Sequence, residues 1–163
     1  MQLQLSHDPA EDRLLLRLDI NGQGHGFWLT RRMTGLLWPV LWSHLEQGLA
    51  AGASDAARHW LLALRHQEAR AGQSLAAVPP IPLIGEPRLL VTLKHGNDAS
   101  GRHVLTLLDR DDDGETLTMA DDGLHALIRL LYETVPTTGW DLPLPLPDQA
   151  DPSGVADVPL VRH

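Results

Sequence analysis

Leucines alternate with polar side chains at the start of the chain: Leu3 and Leu5, then, after a polar turn at 7–12, Leu14, Leu16 and Leu18 set against Arg13, Leu15 and Arg17. A period of two marks half-buried strands, so these segments predict a two-stranded hairpin. The run Asn21-Gly22-Gln23-Gly24-His25-Gly26 is rich in residues that tolerate positive φ and reads as a hairpin loop, followed by a third short strand over 27–30. The spacing then changes. Leu37, Val40, Leu41, Leu45 and Leu49 recur at helical intervals up to Gly48 and the Ala/Gly-rich stretch 50–53. Pro39 fits best in a first helical turn, which places the helix start near Trp38.

The second half repeats this order. Strands are predicted over 88–94 and 102–109 with turns at 96–101 and 110–114, then a short strand and a helix carrying Leu124, Leu127, Ile128, Leu131 and Tyr132 on one face, with Asp121 as its N-cap. Leu29-Thr30 followed by Gly35-Leu36 matches Leu117-Thr118 followed by Gly123-Leu124, and Leu18-Asp19 matches Leu108-Asp109. The expectation is an α+β fold of internally duplicated βββα units, with antiparallel sheets and helices on one side. The predicted division is a first unit over 1–50, a connecting helix over 51–77, a Pro-rich connector over 78–86, a second unit over 87–141 and a Pro-rich tail over 142–163, all in one compact domain. The connecting helix starts at Ser54 or Asp55 and carries Ala57, Trp60, Leu61 and Leu64; in the tail, Leu142, Leu144 and Leu146 are available as anchors. In its general order of sheet and helix the repeat resembles the single-strand-binding Whirly and Pur-type proteins, which use four strands per repeat. The likeness is architectural and transfers no residue.

Composition narrows the chemistry. With no cysteine among 163 residues, disulfides, thiolate nucleophiles and cysteine-based metal sites are excluded. No apolar run approaches about 18 residues and the N-terminus lacks a signal pattern, so a cytoplasmic protein without a membrane partner is expected. The net charge of −8 is confined to the second half: residues 1–76 hold seven basic and seven acidic side chains, residues 77–163 six and fourteen. That balance disfavours general DNA binding, which depends on neutralising phosphates.

Four groups of residues are candidates for function. Asp109, Asp111 and Asp113 before Gly114 have the D-x-D-x-D-G spacing of a calcium loop, but Ala120 stands where an EF-hand has its glutamate, so calcium is the alternative to a solvated hairpin turn. Arg31 and Arg32 lie at a predicted helix N-terminus, where cations oppose the helix dipole. They are read first as half of an interface with Asp121 and Asp122 at the corresponding junction, within one chain or between two. The alternative is an anion or single-stranded nucleic-acid site, with Trp28 and Phe27 stacking on bases. Trp38 and Trp42 widen the apolar stripe of the first helix beyond what one sheet covers, which suggests a second contact, with the middle helix or another subunit. Of the nine histidines, His95 and His103 flank one hairpin turn and His59 and His66 share a helix face; they are read as scattered surface or partly buried side chains. No nucleophile elbow, P-loop or dinucleotide fingerprint is present. The chain is therefore expected to be a non-catalytic binding or assembly module, a homodimer with a protein partner and no required cofactor.

Overall fold

A computed structural model describes residues 1–48 and 78–145. Strands β1 (Gln2–Asp8), β2 (Arg13–Ile20) and β3 (Gln23–Leu29) form an antiparallel meander. Its register puts Leu5, Leu16 and Phe27 in one row and His7, Leu14 and Leu29 in another, on the face turned to the core. Asn21 and Gly22, both at positive φ, make the turn between β2 and β3. β3 therefore starts four residues before the expected position, and Gly24 and Gly26 lie inside a strand rather than in a loop.

The reason for those glycines is the connector. Residues 78–87 cross the outer face of this sheet: Gln4 donates to Pro79 O at 2.9 Å and accepts from Ile81 N at 2.8 Å, and Arg17 donates to Ile81 O at 3.0 Å. A Cβ on Gly24 would stand 1.9 Å from Pro82 O, and one on Gly26 would stand 2.8 Å from Leu83 Cδ1. The glycines supply room rather than positive φ, and the proline-rich chain lies in that room as the extended segment the sequence predicts.

The chain then turns along the edge of β3. The segment expected as one strand is two: β4 (Arg88–Leu89) pairs parallel with β3, and β5 (Thr92–Asn97) pairs antiparallel with β6 (His103–Leu108). Leu90 N donates to Trp28 O and Val91 N to Leu108 O, so consecutive residues belong to different sheets. β7 (Gly114–Met119) completes the second meander. There are thus two sheets, in the orders β1-β2-β3-β4 and β5-β6-β7.

Helix α1 (Arg31–Gly48) begins directly after β3 rather than near Trp38, with Pro39 in its interior. Thr30 starts it: its Oγ1 accepts Met33 N at 3.2 Å and its carbonyl accepts Thr34 N at 2.9 Å. Helix α2 (Asp121–Thr134) has Ala120, not Asp121, as its N-cap: Ala120 is the last extended residue, with ψ 178°, and Asp121 is already helical, its carboxylate engaged by His103. Leu37, Trp38, Leu41, Trp42 and Leu45 of α1 and Leu124, Leu127, Ile128 and Leu131 of α2 join both sheets in one buried cluster. Helical burial pairs Leu37 with Leu127 and Leu41 with Leu131, two residues out of step with the sequence landmarks that align Leu29 with Leu117.

After α2 the chain returns over α1. Trp140 Nε1 donates to Asp12 Oδ1 at 2.7 Å, Trp38 Nε1 donates to Pro145 O at 3.0 Å, and Leu142 and Leu144 pack on the core. The predicted connecting helix, with Trp60, His59 and His66, and the tail beyond Pro145, including Leu146, lie outside the described residues.

Crowding at Gly24 yields a direct test. Gly24→Ala is expected to destabilise the fold by about 1–3 kcal/mol, because the connector must move. Gly85→Ala, where a Cβ meets only open space, should stay within about 0.5 kcal/mol of the parent. Urea denaturation of both variants checks this, and equal losses would show that the connector is not held against β3.

Candidate functional site

Three imidazoles and a carboxylate form a hydrogen-bonded column in the interior. α1 carries its residues at a rise of 1.5 Å each, so His44 lies about 20 Å along the helix from Arg31 and reaches the β5–β6 hairpin of the other half. His44 Nε2 stands 3.1 Å from His95 Nδ1 of β5, and His44 Nδ1 stands 3.2 Å from His103 Nδ1 of β6. His103 Nε2 stands 2.9 Å from Asp121 Oδ1 at the start of α2. The register of β5 against β6 sets Asn97 opposite His103 and His95 opposite Leu105, so both strand histidines project from one face and His44 fits between them. Its ring meets each neighbour edge to face, with centroids 5.2 Å apart.

The two central rings are sealed, His44 being 1% and His103 2% exposed, while His95 and Asp121 at the ends are exposed. Carboxylate acceptance fixes the tautomers of the neutral column. Asp121 accepts from His103 Nε2–H, which leaves His103 Nδ1 as the acceptor for His44 Nδ1–H; His44 Nε2 then accepts from His95 Nδ1–H. Both ring nitrogens of His44 and of His103 are satisfied, and the N–H groups of the column point the same way, from the solvent end at His95 to the anion at Asp121. Burial, then the nearby His103 and His95, hold the His44 pKa below its ordinary value. The rings stand in line rather than converging: His44 uses opposite edges toward its two neighbours. Among the described residues, no group of three or more His, Asp or Glu is placed to hold a metal ion.

The residues singled out from the sequence are dispersed. Arg31 donates through Nη2 to the backbone oxygen of Asp141, and Arg32 is exposed with no ion pair or side-chain hydrogen bond among the described residues. Within one chain, neither arginine meets Asp121 or Asp122: Asp121 is held by His103, and Asp122 Oδ1 accepts Gly123 N at 2.8 Å. Phe27 is fully buried, so it cannot stack on a base, while Trp28 on the opposite face of β3 is half-buried. Trp38 and Trp42 are buried edge to face at 5.8 Å, and Trp38 stacks on Tyr132 of α2. Much of the second contact implied by the wide stripe is thus α2 of the same chain.

The acidic turn makes contacts of its own. Asp109 Oδ1 accepts the N–H groups of Asp111 at 2.8 Å and Asp113 at 3.1 Å. Asp113 Oδ2 lies 3.1 Å from Arg88 Nη2, and Glu115 Oε1 lies 2.9 Å from His25 Nδ1 and 3.5 Å from Arg88 Nη1, which ties the edge of the first sheet to the second.

His95 and His103 are placed beside one turn by the sequence, but His44 stands 51 residues before one and 59 before the other, and no motif links it to them. One signal was available: His44 lies at helical spacing from Leu37 and Leu41, on the side of α1 that faces the core. Replacing His103 by leucine orphans the buried His44 Nδ1–H and should cost about 1–3 kcal/mol in urea denaturation at pH 8. Asp121→Asn keeps an acceptor at the exposed end and should cost distinctly less; an equal loss would mean that the column does not run in this order. No family model matches this chain, and no curated protein or solved structure is similar to it, so its functional reading rests on its own residues.

Proposed function

We propose that this chain is a non-catalytic binding or assembly module of the cytoplasm that forms a homodimer and engages a protein partner. The observation that carries the reading is the outer face of α1. Leu36 is 51% exposed there, Pro39 is exposed and Val40 is half-buried, and Arg32 stands one turn before Leu36. A row of apolar side chains beside an uncompensated arginine, on a helix whose other faces are buried, has the composition of an interface centre with a charged rim. A second copy supplies the complementary charge: Asp122 is exposed on the first turn of α2, where a carboxylate is favoured by the helix dipole. The arginine–aspartate pairing absent within one chain is then made between two.

The two halves are read as copies of one unit, supported by a meander followed by a helix in each and by equivalent burial of Leu37 and Leu127, Trp38 and Ile128, Leu41 and Leu131, and Leu45 and Val135. In that reading the copies diverged where they meet other molecules, with arginines at one strand–helix junction and aspartates at the other.

Light scattering across the micromolar range is expected to give twice the chain mass for the parent, and the single-chain mass for Leu36→Glu and Arg32→Asp with unchanged circular dichroism. A parent that scatters as a single chain at all concentrations would remove the dimer from this reading.

A further inference from the structure

We propose that the column His95–His44–His103–Asp121 is a pH-sensing latch, which accepts one proton with all its hydrogen bonds intact and a second only by parting α1 from the β5–β6 hairpin. Donors and acceptors set this limit. In the neutral column, the lone pair on His95 Nε2 is the one ring nitrogen not engaged in the chain, and it lies on an exposed residue. A first proton binds there and breaks nothing, because His95 Nδ1–H still donates to His44 Nε2. The positive charge can pass inward by successive N–H shifts: His95 Nδ1–H to His44 Nε2, His44 Nδ1–H to His103 Nδ1, and His103 Nε2–H to the Asp121 carboxylate. One proton enters at His95 and one arrives at Asp121, so the balance is complete.

A second proton has no vacant nitrogen. Because a carboxylate is a weaker base than an imidazole, the second proton goes to a ring, at His44 Nε2 or His103 Nδ1, each of which already accepts a hydrogen bond, and two N–H groups then face each other at a spacing of 3.1 or 3.2 Å. At a buried site both the lost bond and the added charge are expensive. The link that fails joins α1 to β5 or to β6, the hairpin that α1 reaches from the other half of the fold.

The surrounding charges do little to relieve that load. Next to His103, Arg102 is held by Asp98 at 2.8 Å; Lys94 precedes His95 on the opposite face of β5; Asp122 caps Gly123; and His125 lies one turn further along α2. Asp121 is the carboxylate in contact with the column. The lowered pKa of His44 sets the sign. The unfolded chain takes up its proton near pH 6.5 and the folded chain only at lower pH, so stability is at its full value above about pH 6.5 and falls as the pH drops toward the folded value.

Two measurements on the full chain decide the matter. Imidazole ¹⁵N spectra at pH 8 should show His44 protonated at Nδ1 and bare at Nε2, and His103 protonated at Nε2 and bare at Nδ1, with His44 titrating below an ordinary histidine. The opposite tautomers, or an ordinary His44 midpoint, would overturn the proposal. Denaturation from pH 8 to 5 should show the unfolding constant rising by up to about tenfold per pH unit for each proton excluded from the folded state. In His44→Gln, whose amide does not titrate, that slope should shrink by one proton. An unchanged slope would likewise sink the latch, and if the variant does not fold, the spectra of the parent decide.

Discussion

The packing of α1 against α2 is the contact on which the rest of this structure depends. Each helix follows its own meander in sequence yet reaches the other: α2 packs along β1, and α1 brings His44 to β5 and β6. Leu37, Trp38, Leu41, Trp42 and Leu45 meet Leu124, Leu127, Ile128 and Leu131 in the cluster that also takes in Phe27 and Leu117 from the two sheets. A fully buried leucine or phenylalanine is worth about 1.5–3 kcal/mol, so a seam of this kind outweighs any one polar contact. The two helices and the two sheets share one buried cluster.

The strand that passes between the sheets follows from the same constraint. At Leu90 and Val91 the backbone leaves β3 and joins β6 within two residues, so the sheets are joined through the chain as well as through the core. Arg88, His25, Glu115 and Asp113 close the edge where the sheets approach. The return of the chain through Trp140, Leu142 and Leu144 shields the far end of the seam and occupies the indole N–H of Trp38.

Against this apolar background the histidine column is costly unless its bonds are complete. In the neutral state it is complete in one arrangement of protons, directed from His95 to Asp121, and this gives α1 an oriented polar contact within its packing.

Period-two leucines in β1 and β2 and the helical spacing of Leu124, Leu127, Ile128 and Leu131 were enough to determine strands, helices and an α+β class, because alternation and helical pitch are local properties of the chain. The extended connector was legible for the same reason, since proline restricts its own residue. What the connector lies on was not, and Gly24 and Gly26 took the appearance of a loop because a glycine that makes room for another segment has the same sequence as one that turns. Trp38 and Trp42 showed an excess of apolar surface but not its partner, and Phe27 could not be told from an exposed aromatic until its strand face was known. The column was least legible of all. Its members come from one helix, two strands and the first residue of another helix, and only packing brings them within hydrogen-bonding distance. Which side chains are apolar, and at what period, is a local property of the chain; which polar ones are buried with them emerges only on folding, because that depends on contacts between residues far apart in it.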